Sequence, residues 1–136
     1  MPDVDEMKVQ IIMKLQTGPK TFSHLEQHID GFCDRSEPKE GELLTGMDLQ
    51  HPAIEQLYIW DRLTAEAVDA LMELAEAGAI VFTPCSAVAY ALDGQTAPWP
   101  VVDQAFLDTP EDERKPHWTP CLLGRPECPA KGQVDV

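Results

Sequence analysis

The sequence predicts an α+β domain, with three amphipathic helices followed by a strand pair and then an extended arm. Three observations predict it. Apolar residues recur at helical spacing in three segments, each preceded by a capping residue. Two short apolar runs flank Pro84-Cys85-Ser86 as the strands of a hairpin would. Seven of the 12 prolines fall at Pro98 or later, so the composition changes beyond about residue 95.

Taking the elements in order, Asp3 and Glu6 have the spacing of a capping box ahead of Val4, Met7, Ile11, Ile12 and Leu15. This predicts a helix over about 4–16, stopped by Gly18-Pro19. Thr21 caps a second helix carrying Phe22, Leu25, Ile29 and Phe32, with Gly31 near its end. From Cys33 to about Gln56 the periodicity is lost, and acids crowd around Pro38 and Gly41, which predicts a long solvated loop. Leu57-Tyr58-Ile59-Trp60 has strand-like composition. Thr64 then caps the clearest helix, whose buried stripe is Ala67, Val68, Leu71, Leu74 and Ala75 and whose end is Gly78. Residues 79–83 and 87–92 read as two strands, and Asp93-Gly94 closes the ordered pattern.

The predicted organisation is therefore a domain over 1–94, with an acidic insertion loop at about 33–56, and a Pro-rich arm over 95–136. The arm carries Trp99 and Trp118 among its prolines, and a short helix is expected around Val101–Leu107. Prolines keep such a chain extended, and tryptophans offer a large apolar area. Two outcomes suit this composition: the arm wraps back and completes the core, or it anchors a partner or a second subunit.

Residues Leu63 to Ile80 resemble the third helix of the winged helix-turn-helix superfamily running into its wing. The paired leucines and the Ala77-Gly78-Ala79-Ile80 junction carry the match, and Tyr90 is similar on the second wing strand. The resemblance covers about residues 4–94 and implies three helices plus a two- or three-stranded wing sheet. It does not settle function. In DNA-binding members the third helix enters the major groove; other members bind proteins.

Charge separates these branches. The chain of 136 residues has 24 acids and 10 Lys or Arg, a net charge of −14. Between Leu63 and Glu113 there are 10 acids and no Lys or Arg. The polar positions of the third helix are Glu66, Asp69, Glu73 and Glu76, which would repel the phosphates that Lys and Arg normally neutralise. The same acids would equally well solvate an outer helix face.

Other chemistry is weakly signalled. No phosphate-binding Gly-rich loop, dinucleotide fingerprint or nucleophile elbow is present. His24 and His28 are four residues apart, but His24-Leu25-Glu26-Gln27-His28 is not the zinc-protease order. His117, Cys121 and Cys128 are of zinc-ligand type yet include no Cys-x-x-Cys pair. The expectation is no metal and no cofactor. The acidic N-terminus does not read as a signal peptide and no apolar run is long enough to span a bilayer, so a cytoplasmic protein without membrane contact is expected. The expected function is that of a non-enzymatic regulator, adaptor or inhibitor. It would bind a protein with a basic surface, such as a nucleic-acid-binding partner, through Glu66, Asp69, Glu73, Glu76, Trp99 and Trp118. The alternative is a DNA-binding transcriptional regulator that uses Lys8, Lys14 and Lys20, the Arg62 neighbourhood or the basic arm.

Overall fold

The computed structural model describes residues 3–37, 39–41 and 46–126. Helix α1 spans Val4–Lys14, with Asp3 accepting from the Glu6 amide at 2.8 Å, and a 3-10 turn follows over Leu15–Thr17. A two-residue strand β1, Lys20–Thr21, leads into α2, Phe22–His28, which Thr21 caps by accepting from the His24 amide at 3.0 Å. Strands β2 (Met47–Gln50) and β3 (Leu57–Leu63) precede α3, Ala65–Glu76. Thr64 caps α3, and Gly78 ends it in the left-handed region at φ 73°. Then come β4 (Val81–Pro84), α4 (Ala87–Asp93), α5 (Gln104–Asp108), β5 (His117–Trp118) and β6 (Cys121–Gly124).

The strands form two three-stranded sheets, ordered β1-β6-β4 and β2-β3-β5. The first is wholly antiparallel, with Phe82 opposite Leu123 and Lys20 opposite the same residue on the other side. In the second, β2 and β3 are antiparallel and β3 and β5 parallel. One core joins them. Met7, Ile11 and Leu15 of α1 and its 3-10 turn, and Ala67, Ala70, Leu71 and Leu74 of α3, meet an aromatic cluster centred on Phe22, Trp60, Tyr90 and Trp118. Tyr90 ties the parts together: its hydroxyl accepts from the Phe22 amide at 3.0 Å and donates to the Cys121 carbonyl at 2.5 Å.

The α+β class and the three capped helices agree with the sequence reading, whereas the hairpin does not. Residues 87–93 form a helix, with Ser86 as its cap and Gly94 at φ 90° as its end. Val88, Tyr90 and Leu92 alternate as in a strand, but the Ala-rich segment favours a helix and buries only Tyr90. The strand beside β4 is instead β6, supplied by the segment expected to be an arm. A second difference lies in the expected loop, which contains β2.

Strand β3 is bulged against β2. Met47 pairs with Leu63 and Leu49 with Trp60, so Asp61 and Arg62 occupy the extra length, and Arg62 takes φ 60°. Gly46 lies against this bulge at φ 91°, where an added Cβ would sit 2.8 Å from the Arg62 backbone. Gly46→Ala is therefore expected to cost more than about 1 kcal/mol, read as a fall in melting temperature of at least about 3 °C. An unchanged melting temperature would mean that the bulge relaxes freely.

Candidate functional site

Helix α3 presents its acids as a solvent face because its apolar positions are taken up by the core. Ala67, Ala70, Leu71 and Leu74 are buried, Asp69, Glu73 and Glu76 are exposed, and Glu66 is half-buried. At helical angles, 66, 69, 73 and 76 lie along one side. The row is not wholly uncompensated, because Lys8 of α1 forms an ion pair with Glu73, half of whose side chain is exposed. Sequence order could not show this, since α1 and α3 are brought together only by the fold. Met72, 42% exposed, adds an apolar element beside the acids.

The two tryptophans of the expected partner-binding set separate. Trp118 is only 2% exposed, and its indole N–H donates to the Ile59 carbonyl at 3.0 Å. It belongs to the core and is not available to a partner, which corrects its assignment as a contact residue. Trp99 is half-buried and stacks on Tyr58 with ring centroids 4.7 Å apart.

A polar cluster that sequence reasoning missed lies at the junction of α2, β3 and the segment after Gly31. Arg35 donates to both oxygens of Glu26, at 2.7 and 2.8 Å, and to both of Asp61, each at 2.9 Å. Trp60 donates its indole N–H to Glu26 at 3.0 Å, and the Arg35 guanidinium lies 5.6 Å from the Trp60 ring centroid. Trp60 and Asp61 sit where β3 bulges against β2, and both are buried in this central strand. The one visible signal was a carboxylate, Asp61, directly after the strand-like run Leu57-Tyr58-Ile59-Trp60.

Electrostatics define what this cluster does. Burial pushes the Glu26 carboxyl up, but hydrogen bonds from Arg35 and Trp60 overcome it and hold the group below its ordinary value. Burial opposes the Arg35 charge, and the bonds to Glu26 and Asp61 more than restore it. Burial also drives the Cys33 thiol far up, so it stays protonated and is no nucleophile at neutral pH. The arrangement is a clamp that fixes the chain after α2 against β3.

The remaining candidates do not converge. The His24 and His28 rings lie 4.3 Å apart, and the pKa of His24 is lowered by burial and then by His28, Lys20 and Lys14. Cys121 is buried, with its thiol pushed up to about 11 by burial, while His117 contacts the Lys115 carbonyl and the Phe106 ring. Cys128 lies outside the described residues. Among the described residues no three His, Cys, Asp or Glu side chains are grouped to hold a metal ion, and no helix is long and apolar enough to cross a membrane. Comparisons with protein-family models, curated proteins and solved structures return no match.

Proposed function

We propose that the chain is a winged-helix protein that acts by binding another protein, with the acidic face of α3 as its recognition surface. The observation that carries this reading is the exposed row of Asp69, Glu73 and Glu76, with Glu66 beside it, on the helix that leads into the sheet. The order α1, β1, α2, α3, β4, into which β2 and β3 are inserted between α2 and α3, supports the winged-helix part, with β6 taking the place beside β4 that a second wing strand would occupy. Residues 85–120 then form a long excursion in place of a hairpin tip. A basic surface complements the row, and the nucleic-acid groove of a partner is the chemistry that fits it best. Regulation, adaptation or inhibition of such a partner in the cytoplasm, without chemistry of its own, is the role this implies.

The test is charge reversal at Glu66, Asp69 and Glu76, leaving Glu73 to its ion pair with Lys8. Like charges along a helix weaken it by a few tenths of a kcal/mol per pair, so the variant is expected to fold with unchanged or slightly higher stability. Capture from native lysate is expected to recover basic proteins on the wild type, released by salt, and to lose them on the variant. A sequence-specific complex with DNA at physiological salt, in a gel-shift assay, would overturn this reading in favour of a DNA-binding regulator. Retention of the same partners by the variant would reduce the row to a solvated face.

A further inference from the structure

The two sheets each turn one face to a shared space. In the first, Phe82 pairs with Leu123 and Pro84 with Cys121, so these four side chains lie on one face, where Phe82 stacks against Phe22. In the second, the His51 amide donates to the Leu57 carbonyl at 2.7 Å, one step beyond the Gln50–Tyr58 pair. His51 therefore lies opposite Leu57 and shares a face with Leu57 and Ile59. Between the sheets is a cleft of about 400 Å³. Its floor residues Leu57, Ile59, Thr119 and Cys121 are all buried, Ile54 is half-buried, and Pro52 and Pro84 are exposed at the rim. Protein interiors are close-packed, with few voids larger than a water molecule. A space of this size above buried side chains falls instead among small-molecule pockets, which run to about 300–1,000 Å³.

The lining is apolar, with one unspent donor. None of the nine described lining residues is Asp, Glu, Lys or Arg, although the chain has 24 acids and 10 Lys or Arg. The Thr119 side chain is bonded to the Cys121 thiol. His51 differs. Its Nδ1 accepts from the Ala53 amide at 3.0 Å, and a ring nitrogen that accepts from an N–H carries no proton. The neutral ring therefore holds its proton on Nε2, which has no hydrogen-bond partner among the described residues. The turn that supplies the Ala53 amide thus fixes both the tautomer and the ring orientation.

We infer that this cleft binds a small uncharged molecule with an apolar body and one carbonyl oxygen, which accepts from the His51 Nε2–H. Apolar burial supplies the affinity, and the donor beside an apolar wall selects for an acceptor. A carboxylate suits the cleft poorly, because no fixed cation lines it and a buried charge is costly. The cleft draws its walls from β3, which leads into α3, and β4, which follows that helix, so a ligand joins the two strands on either side of it. The inference does not depend on the role of α3.

The probes are propiophenone, propylbenzene, which has nearly the same shape without the oxygen, and 3-phenylpropanoate, which carries a charge. Each is titrated into the full chain at neutral pH and followed by amide chemical shifts. Both neutral compounds are expected to shift the amides of His51, Leu57, Ile59, Thr119 and Cys121, and the carboxylate to bind at least tenfold more weakly than the ketone. His51→Leu should weaken propiophenone at least fivefold while leaving propylbenzene within twofold, which also shows that the variant keeps its fold. Ile54→Trp, which fills the cleft, should weaken both neutral compounds at least fivefold. No binding, shifts confined to other surfaces, or a carboxylate that binds as tightly as the ketone would overturn the inference. So would equal loss of both neutral compounds, or of neither, in His51→Leu.

Discussion

Deletion of residues 95–136 is expected to leave a chain with no cooperative thermal transition. The segment supplies β6, which lies between β1 and β4, so its loss leaves both neighbours without a partner strand. It also removes the buried side chains of Phe106, Trp118 and Leu123, and the Cys121 carbonyl that receives the Tyr90 hydroxyl. Burial of a large apolar side chain contributes about 1.5–3 kcal/mol. Three of them approach the about 5–15 kcal/mol by which a whole domain is stable. The finer test is at one residue. Trp118→Ala is expected to cost about 3–5 kcal/mol, because the surrounding Trp60 and Tyr90 rings cannot collapse fully into the space. Trp118→Phe keeps most of the ring area but leaves the Ile59 carbonyl without its indole donor, for about 1–3 kcal/mol. Urea unfolding orders the three proteins; a Trp118→Ala variant as stable as the wild type would detach the segment from the core.

What the sequence made legible was local. Asp3, Thr21 and Thr64 each bond the amide expected of a cap, and most of the periodic apolar residues behind them are buried, with Val4, Ile12, Val68 and Ala75 half-buried at the edge of the core. The misreading at 87–92 has a physical cause, since Val88 and Leu92 are spaced both for a strand and for one helix face, and both are exposed. Strand β2 has one buried residue, Leu49, too little to mark a period. Strand β6 is a short apolar run whose partners are about forty and one hundred positions earlier in the sequence, and no local pattern encodes such pairing. The same holds for the candidate sites. The acidic row of α3 was visible because it lies on one helix, whereas its compensation by Lys8 was not. The clamp draws Glu26, Arg35 and Asp61 from separate elements. Sequence reasoning reaches the face of an element before it reaches a junction between elements.

Arg35→Met is expected to produce the second large effect, with an acid dependence opposite in sign to that of the wild type. Removing the guanidinium leaves Glu26 and Asp61 facing one another with side chains only 12% and 11% exposed. Breaking a fully buried pair costs about 3–5 kcal/mol; because Arg35 is itself 33% exposed and water reaches the site, about 2–3 kcal/mol is expected. In the wild type, Glu26 is held below its ordinary value of 4.5, so its stabilisation is present above that pH and is lost as the pH falls through the depressed value. Without Arg35, burial, the largest influence on Glu26, acts together with the facing Asp61 carboxylate against the remaining Trp60 bond, and the Glu26 pKa is expected to rise above the unfolded value. Protonation then favours the folded state, so the stability deficit of Arg35→Met should be largest near pH 7 and should shrink as the pH falls toward 4. Glu26→Gln in the same background removes the buried charge and should recover part of the loss at pH 7. Urea unfolding of the three proteins at several pH values reads all of this. A deficit independent of pH, or none at pH 7, would mean that the three groups are solvated independently and that the chain after α2 is held by its apolar contacts alone.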